Sequence, residues 1–186
     1  MFCTACGALL PETSIKRDFR PRCPACGARQ IQHPSVVLTC FIACDDKLLL
    51  IKRALPPQVG FWAIPGGFME AGETTAEGAA RELREEAGVH LQAETLSLYM
   101  AGSITFLNQV YIAYRATVSE LACAPGVEAQ AAQFFSRDEC PWRELAYPEV
   151  NDAIRQAYDD LERGEFGTYH AEMTDAFYRL RPVRTQ

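Results

Sequence analysis

Residues 67–89 constrain this chain more than any other segment, because a glycine-punctuated loop, a helix start, three helical carboxylates and a helix stop follow one another without interruption. Thr74 followed by Glu77 has the spacing of a capping box, in which each side chain satisfies a backbone N–H that the first helical turn leaves open. Ala76, Ala79, Ala80, Leu83 and Ala87 then recur as an apolar stripe, and Gly88 can take the left-handed conformation that ends a helix. The spacing predicts a helix over about 74–88 with one buried face.

On that helix Glu82, Glu85 and Glu86 stand at i, i+3 and i+4, so their carboxylates share a face within reach of one ion. Left unpaired, each like-charged pair costs the helix about 0.2–0.5 kcal/mol. A hard, oxygen-seeking cation such as Mg²⁺ removes that cost. A solvated acidic face is the ordinary meaning of such a cluster, but here the cluster belongs to a longer pattern. Gly67, Glu73, Arg81, Glu82, Leu83, Glu85, Glu86, Gly88 and Val89 fill, in order, every fixed position of the Nudix box, which this segment resembles throughout. The approach 61–66 and the later stretch 134–139 also look like segments of that family, so the resemblance covers roughly everything after Pro34.

The resemblance implies an α/β fold, a mixed sheet sandwiched between helices. It implies attack of water on a phosphorus of a nucleoside diphosphate joined to another moiety, with Mg²⁺ or Mn²⁺ bound. A diphosphate bridge is anionic and resists nucleophiles, and a divalent ion addresses both its charge and the acidity of the attacking water. By family position, Glu82 and Glu86 are the principal metal ligands, Glu85 is a further or water-mediated ligand, and the Gly67 carbonyl is a weaker candidate. Arg81 and Glu73 read as a brace for loop and helix, since a guanidinium among carboxylates fixes their geometry by paired hydrogen bonds. The general base is either a box glutamate or Glu128 in the later loop, where many relatives carry two acids three apart and this chain has Ala131 at the second position.

A second motif stands at the amino terminus. Cys3-Thr4-Ala5-Cys6-Gly7 and Cys23-Pro24-Ala25-Cys26-Gly27 are two CxxC knuckles separated by sixteen residues, the spacing of a zinc ribbon. Four thiolates make a closed structural Zn²⁺ site with no open position. A segment of 34 residues has little core of its own, so the metal would supply its folding energy. Lys16, Arg17, Arg20, Arg22 and Arg29 against Glu12 and Asp18 give this segment a charge of +3, leaving −9 for the remainder of a chain whose net charge is −6. The basic residues can balance the thiolates, and the acidic remainder disfavours nucleic acid as a partner. Cys40, Cys44, Cys123 and Cys140 read as small apolar residues. His33, His90 and His170 form no ligand pattern.

The domain reading is a ribbon over 1–34, a catalytic domain over 35–167 and a tail over 168–186. Within the domain, 36–44 and 47–52 are expected to pair as a hairpin across Asp45-Asp46. Further strands are expected over 95–100 and 110–118, and a helix over 150–163 stopped by Gly164. No run approaches the roughly 20 apolar residues a membrane span needs, and the start shows no charged leader, so a cytoplasmic protein is expected, with a homodimer allowed.

The paired knuckles, the loop 124–128, the stretch 138–142 and the last helix are similar to zinc-ribbon Nudix enzymes of the FAD diphosphatase type, which split FAD into FMN and AMP. NADH and ADP-ribose are the neighbouring substrates. The serine-glutamine-proline-tryptophan segment of the NADH pyrophosphatase subgroup is absent. Trp62, Phe61 and Tyr111 are candidates to stack on a base or flavin, with core packing the commoner role for such residues. The alternatives are another nucleoside diphosphate derivative, a triphosphate, or a nonenzymatic nucleotide-sensing regulator.

Overall fold

The computed structural model describes residues 2–10, 22–31, 33–147 and 150–183. Glu12, Lys16, Arg17, Asp18 and Arg20, counted in the ribbon charge, lie outside these. The chain divides into two compact units, Met1–Pro34 and Ser35–Gln186.

In the first unit the two knuckles repeat one another. The N–H of Gly7 donates to the Cys3 carbonyl at 2.9 Å and that of Gly27 to the Cys23 carbonyl at 2.8 Å, and both glycines have φ of 73°. Cys3, Cys23 and Leu10 form the small buried cluster of this unit.

In the second unit the described residues form one mixed nine-stranded sheet. β1 (Ser35–Cys44) and β2 (Lys47–Arg53) are the expected hairpin, turned by Asp45 in the left-handed region at φ 52°. β3 (Trp62–Ala63) lies on β2, and β4 (Gly66–Phe68) lies antiparallel on β1 beyond the hairpin contact, so β1 is flanked by β2 at one end and by β4 at the other. Helix α1 (Thr75–Ala87) follows with the complete Thr74–Glu77 capping box and Gly88 at φ 64° as its stop. β5 (Ser97–Ile104) and β6 (Gln109–Thr117) pair antiparallel, and β6 runs parallel to β1 along its length. β5 runs four residues past the expected end at Met100, through Ala101-Gly102-Ser103-Ile104, because it is paired on both sides. β7 (Ala129–Phe135) adds to β2, and α2 (Asn151–Arg163) ends at Gly164.

The expectation of a tail over 168–186 is corrected over 168–183; residues 184–186 lie outside the described residues. β8 (Tyr169–Met173) and β9 (Tyr178–Pro182) form a hairpin that continues the sheet, with β8 parallel to β5. Tyr169, Ala171 and Met173 are buried while His170 and Glu172 face away, the period of a strand compressed into five residues. Pairing covers the edge of β5 that would otherwise expose its backbone groups.

The two faces of the sheet carry separate cores. Leu38, Cys40 and Ile42 pack against Ala79, Leu83 and Ala87 of α1, while Phe41, Tyr99 and Met100 pack against Ala153, Ile154, Ala157 and Tyr158 of α2. Asp160 ties α2 to the added hairpin. Its carboxylate is wholly buried and accepts from the hydroxyls of Tyr99 at 2.9 Å and Tyr169 at 2.7 Å, from Gln156, and from Arg163.

Candidate active site

The turn into α1 and the loop out of it bring the acidic residues together. Glu86 is buried and its Oε2 accepts from the Gly66 N–H at 2.7 Å, so helix and β4 are locked at that point. A Cβ at Gly67 would displace the carboxylate of Glu82, and one at Gly66, whose φ is 156°, would strike the backbone of Leu38 and Thr39. On the far side, Ala124 N–H donates to the Ala87 carbonyl at 2.9 Å and Gly126 N–H to the Glu86 carbonyl at 3.1 Å. A side chain at Gly126 would strike the Glu85 carbonyl, and this close approach delivers Glu128 to the box.

Arg81 organises the other carboxylates. It bonds Glu73 through Nε at 3.0 Å and Nη2 at 2.9 Å, Glu82 at 2.8 Å, Glu85 at 3.2 Å and the Phe68 carbonyl at 3.1 Å. The guanidinium holds the Glu73 carboxyl down at about 2, with the Glu70 N–H assisting. Burial acts the other way on the ligand candidates. It pushes Glu86 up to about 7, reinforced by the charges of Glu82 and Glu128 and opposed by the Gly66 N–H and Arg53. Glu82 is also raised by burial, against the pull of Arg81.

Glu82, Glu86, Glu128 and Gly67 all line one cavity of about 700 Å³, whose remaining walls are largely apolar and aromatic. Trp62 and Tyr111 line it as well. Each is also core: Trp62 packs edge-on against Phe135 at 4.8 Å, and the Tyr111 hydroxyl accepts from Thr39 at 3.0 Å. Phe61 and Glu85 are not among the lining residues; Phe61 is partly exposed, and Glu85 faces solvent between Arg81 and Arg84. A smaller hollow of about 310 Å³ beside Arg84 and His90 holds none of the box glutamates.

The donor set fits a hard divalent cation, since the buried carboxylate of Glu86 and the half-buried one of Glu82, of like charge, are crowded against the Gly66-Gly67 backbone. Among the described residues, however, only the four ribbon cysteines bring three or more candidate ligand atoms within 4.8 Å of one another. Sγ of Cys3 lies 3.7 Å from that of Cys26, and Cys6 is 3.7 Å from Cys23. A tetrahedral Zn²⁺ with bonds of about 2.3 Å separates its sulfurs by about 3.8 Å, whereas a disulfide needs about 2.05 Å. The box carboxylates are spread by partners of their own, Arg81 for Glu82 and Glu85, Gly66 for Glu86.

A family model described as the NUDIX domain matches residues 32–161. The chain belongs to the Nudix family. The crystal structure of a Nudix hydrolase from Nitrosomonas europaea is 32% identical, with a TM-score of 0.78 over 93% of this chain and 98% of that one. The chain is also 35% identical over 111 residues to an ADP-ribose pyrophosphatase of Methanocaldococcus jannaschii, covering 59% of this chain and 66% of that protein. It is 30% identical over 145 residues to the NAD-capped RNA hydrolase NudC of Pseudomonas aeruginosa, covering 75% of this chain and 49% of that protein. The chain thus spans about half to two thirds of the length of these curated relatives.

Three contributors to this Nudix chain's sites carry no local sequence signal. Arg53, at the end of β2, is the only cationic side chain among the described lining residues; its Nε donates to the Pro57 carbonyl at 2.9 Å and its guanidinium lies 5.7 Å from the Tyr147 ring. Glu70 lines the cavity from the loop before α1. In the ribbon, buried Gln30 donates to Sγ of Cys3 at 3.2 Å and accepts from the Thr4 N–H at 2.9 Å. Arg53 closes an apolar run and Gln30 follows an arginine, contexts that look like solvated strand ends; only tertiary contact distinguishes them.

Proposed function

We propose that this chain hydrolyses the diphosphate bond of a nucleotide derivative, with Mg²⁺ or Mn²⁺ bound by Glu82 and Glu86, and that its substrate is a dinucleotide such as FAD, cleaved to FMN and AMP, or NADH. The observation that carries this reading is the convergence of Glu82, Glu86 and Glu128 on one large, mostly apolar cavity beside Gly66-Gly67. A divalent ion there neutralises diphosphate oxygens and acidifies a water. Glu128 is the residue we assign as base. Its carboxylate makes no hydrogen bond or ion pair among the described residues, while those of Glu82 and Glu86 are engaged by Arg81 and Gly66. Arg53 faces the same space and can receive the phosphate charge that the carboxylates repel. Trp62 and Tyr111 supply flat apolar surface for a ring. Similarity to an ADP-ribose pyrophosphatase and to an NAD-capped RNA hydrolase supports a diphosphate flanked by organic groups on both sides. Cys3, Cys6, Cys23 and Cys26 are assigned to a structural Zn²⁺, supported by their sulfur spacing.

A panel of FAD, NADH, ADP-ribose and nucleoside triphosphates, assayed with Mg²⁺ or Mn²⁺ and resolved by chromatography, tests the proposal. Two mononucleotides from FAD or NADH are expected. Cleavage of triphosphates alone would remove the dinucleotide assignment and keep the chemistry.

A further inference from the structure

The cavity extends well beyond the carboxylates. Towards β2 it closes on Arg53, Pro56, Pro57 and Tyr147. In the other direction it runs from the junction of β1 and β4 across β6 and β5 to β8, where Ile104, Phe106, Leu107 and Met173 form its end. β1, β6, β5 and β8 are successive neighbours in the sheet, so this arm crosses three inter-strand steps, about 14 Å at ~4.8 Å each. The carboxylates therefore stand between two compartments.

Of the residues at the end of the arm, Met173 lies outside the part of the chain that matches the family model. That match stops at residue 161, and Met173 belongs to the β8–β9 hairpin. Two buried polar atoms without a partner among the described residues belong to residues that neighbour lining residues in the sheet or along the chain. One is the hydroxyl of Tyr178, paired across the hairpin with Met173; the other is Oδ1 of Asn151, next to the lining residue Val150. Thr39, Gln109 and Tyr111 are polar residues that line the cavity on β1 and β6. A broad apolar wall with a few placed polar groups is the usual lining for a ring system.

We infer that this arm receives the second, ring-bearing half of a two-sided diphosphate, so that the C-terminal hairpin makes the enzyme prefer dinucleotides over one-sided nucleotides. The inference rests on the diphosphatase reading above. A nucleoside triphosphate held at the carboxylates by its phosphates has one organic half, and it leaves one compartment without a ligand. A dinucleotide occupies both, and the surface it covers in the arm contributes to its binding alone.

The test uses the full chain with Mn²⁺ and compares kcat/KM for FAD and NADH with kcat/KM for ADP and ATP. Met173→Trp fills the arm, and Phe106→Ala trims its wall at a side chain that is 46% exposed, leaving the core untouched. The wild type is expected to favour the better dinucleotide over ATP by at least about tenfold, and Met173→Trp to lower its kcat/KM by about tenfold, chiefly through KM, while ADP and ATP change less than about twofold. Phe106→Ala should raise KM for the dinucleotide alone, by about threefold or more. Equal losses for one-sided and two-sided substrates, unchanged values for all, or a wild type without preference would each overturn the inference. Should Met173→Trp fail to fold by circular dichroism, Phe106→Ala decides by the same criterion. A wild type that hydrolyses no nucleotide would overturn both readings, whereas intact hydrolysis with an unaltered ratio overturns the arm alone.

Discussion

Glu82 and Glu86 share a helical face but are held differently, and the difference bears on what each substitution does. Glu86→Gln keeps an oxygen for the Gly66 N–H and Glu82→Gln keeps one for Arg81, so both variants should fold while losing ligand charge. Each is expected to lower kcat by about 10³-fold, corresponding to the several kcal/mol that metal-based charge stabilisation supplies. Steady-state rates near wild type in both would remove the ligand assignment. Glu128→Gln should cost about 10²–10⁴-fold, the range of a general base, with metal affinity nearly unchanged; a loss of metal affinity instead would make Glu128 a ligand. Glu73 is predicted to act on stability. Arg81 lowers its carboxyl from an ordinary value of 4.5 to about 2, so the stabilisation is present above pH ~4.5 and is lost as pH falls towards 2. The difference in Tm between wild type and Glu73→Gln should be constant above about pH 5 and shrink as pH falls below it. A difference independent of pH would contradict the ion-pair account.

At the scale of elements, legibility followed how local the determining physics is. Helix α1 was readable because its cap, stripe and stop all lie within fifteen residues of one another, and the box glutamates came with it. β7 was not, because Ala129-Gln130-Ala131-Ala132-Gln133 has little strand preference; its pairing with β2 decides the conformation. The hairpin β8–β9 looks like a tail in sequence for the same reason, each strand being five residues of mixed polarity stabilised by β5 and α2. The Asp160 network is the element-scale prediction. Tyr169→Phe removes the hydroxyl that donates to the buried Asp160 carboxylate and accepts from Gln156, and should destabilise the protein by about 1.5–3 kcal/mol, measured by urea denaturation. Stability equal to wild type would mean that the hairpin is held by apolar packing alone.

At the scale of the whole molecule, the two units are expected to respond to different metals. Elemental analysis of carefully prepared protein should find about one zinc per chain. Cys26→Ser should remove that zinc and lower stability more than it lowers turnover. Zinc-free protein of unaltered stability would contradict the ribbon assignment. The acidic unit should need Mg²⁺ or Mn²⁺ for turnover, and chelation followed by Mg²⁺ addition should restore the rate. No helix among the described residues is long and apolar enough to cross a membrane. The central claim is that water, activated among Glu82, Glu86 and Glu128, attacks a diphosphate phosphorus. It is tested most directly by hydrolysing FAD or NADH in ¹⁸O-labelled water with Mn²⁺ and weighing the products by mass spectrometry. Two mononucleotides are predicted, one of them carrying a single labelled phosphate oxygen. Release of orthophosphate, or a nucleotide bound covalently to the protein, would contradict the account.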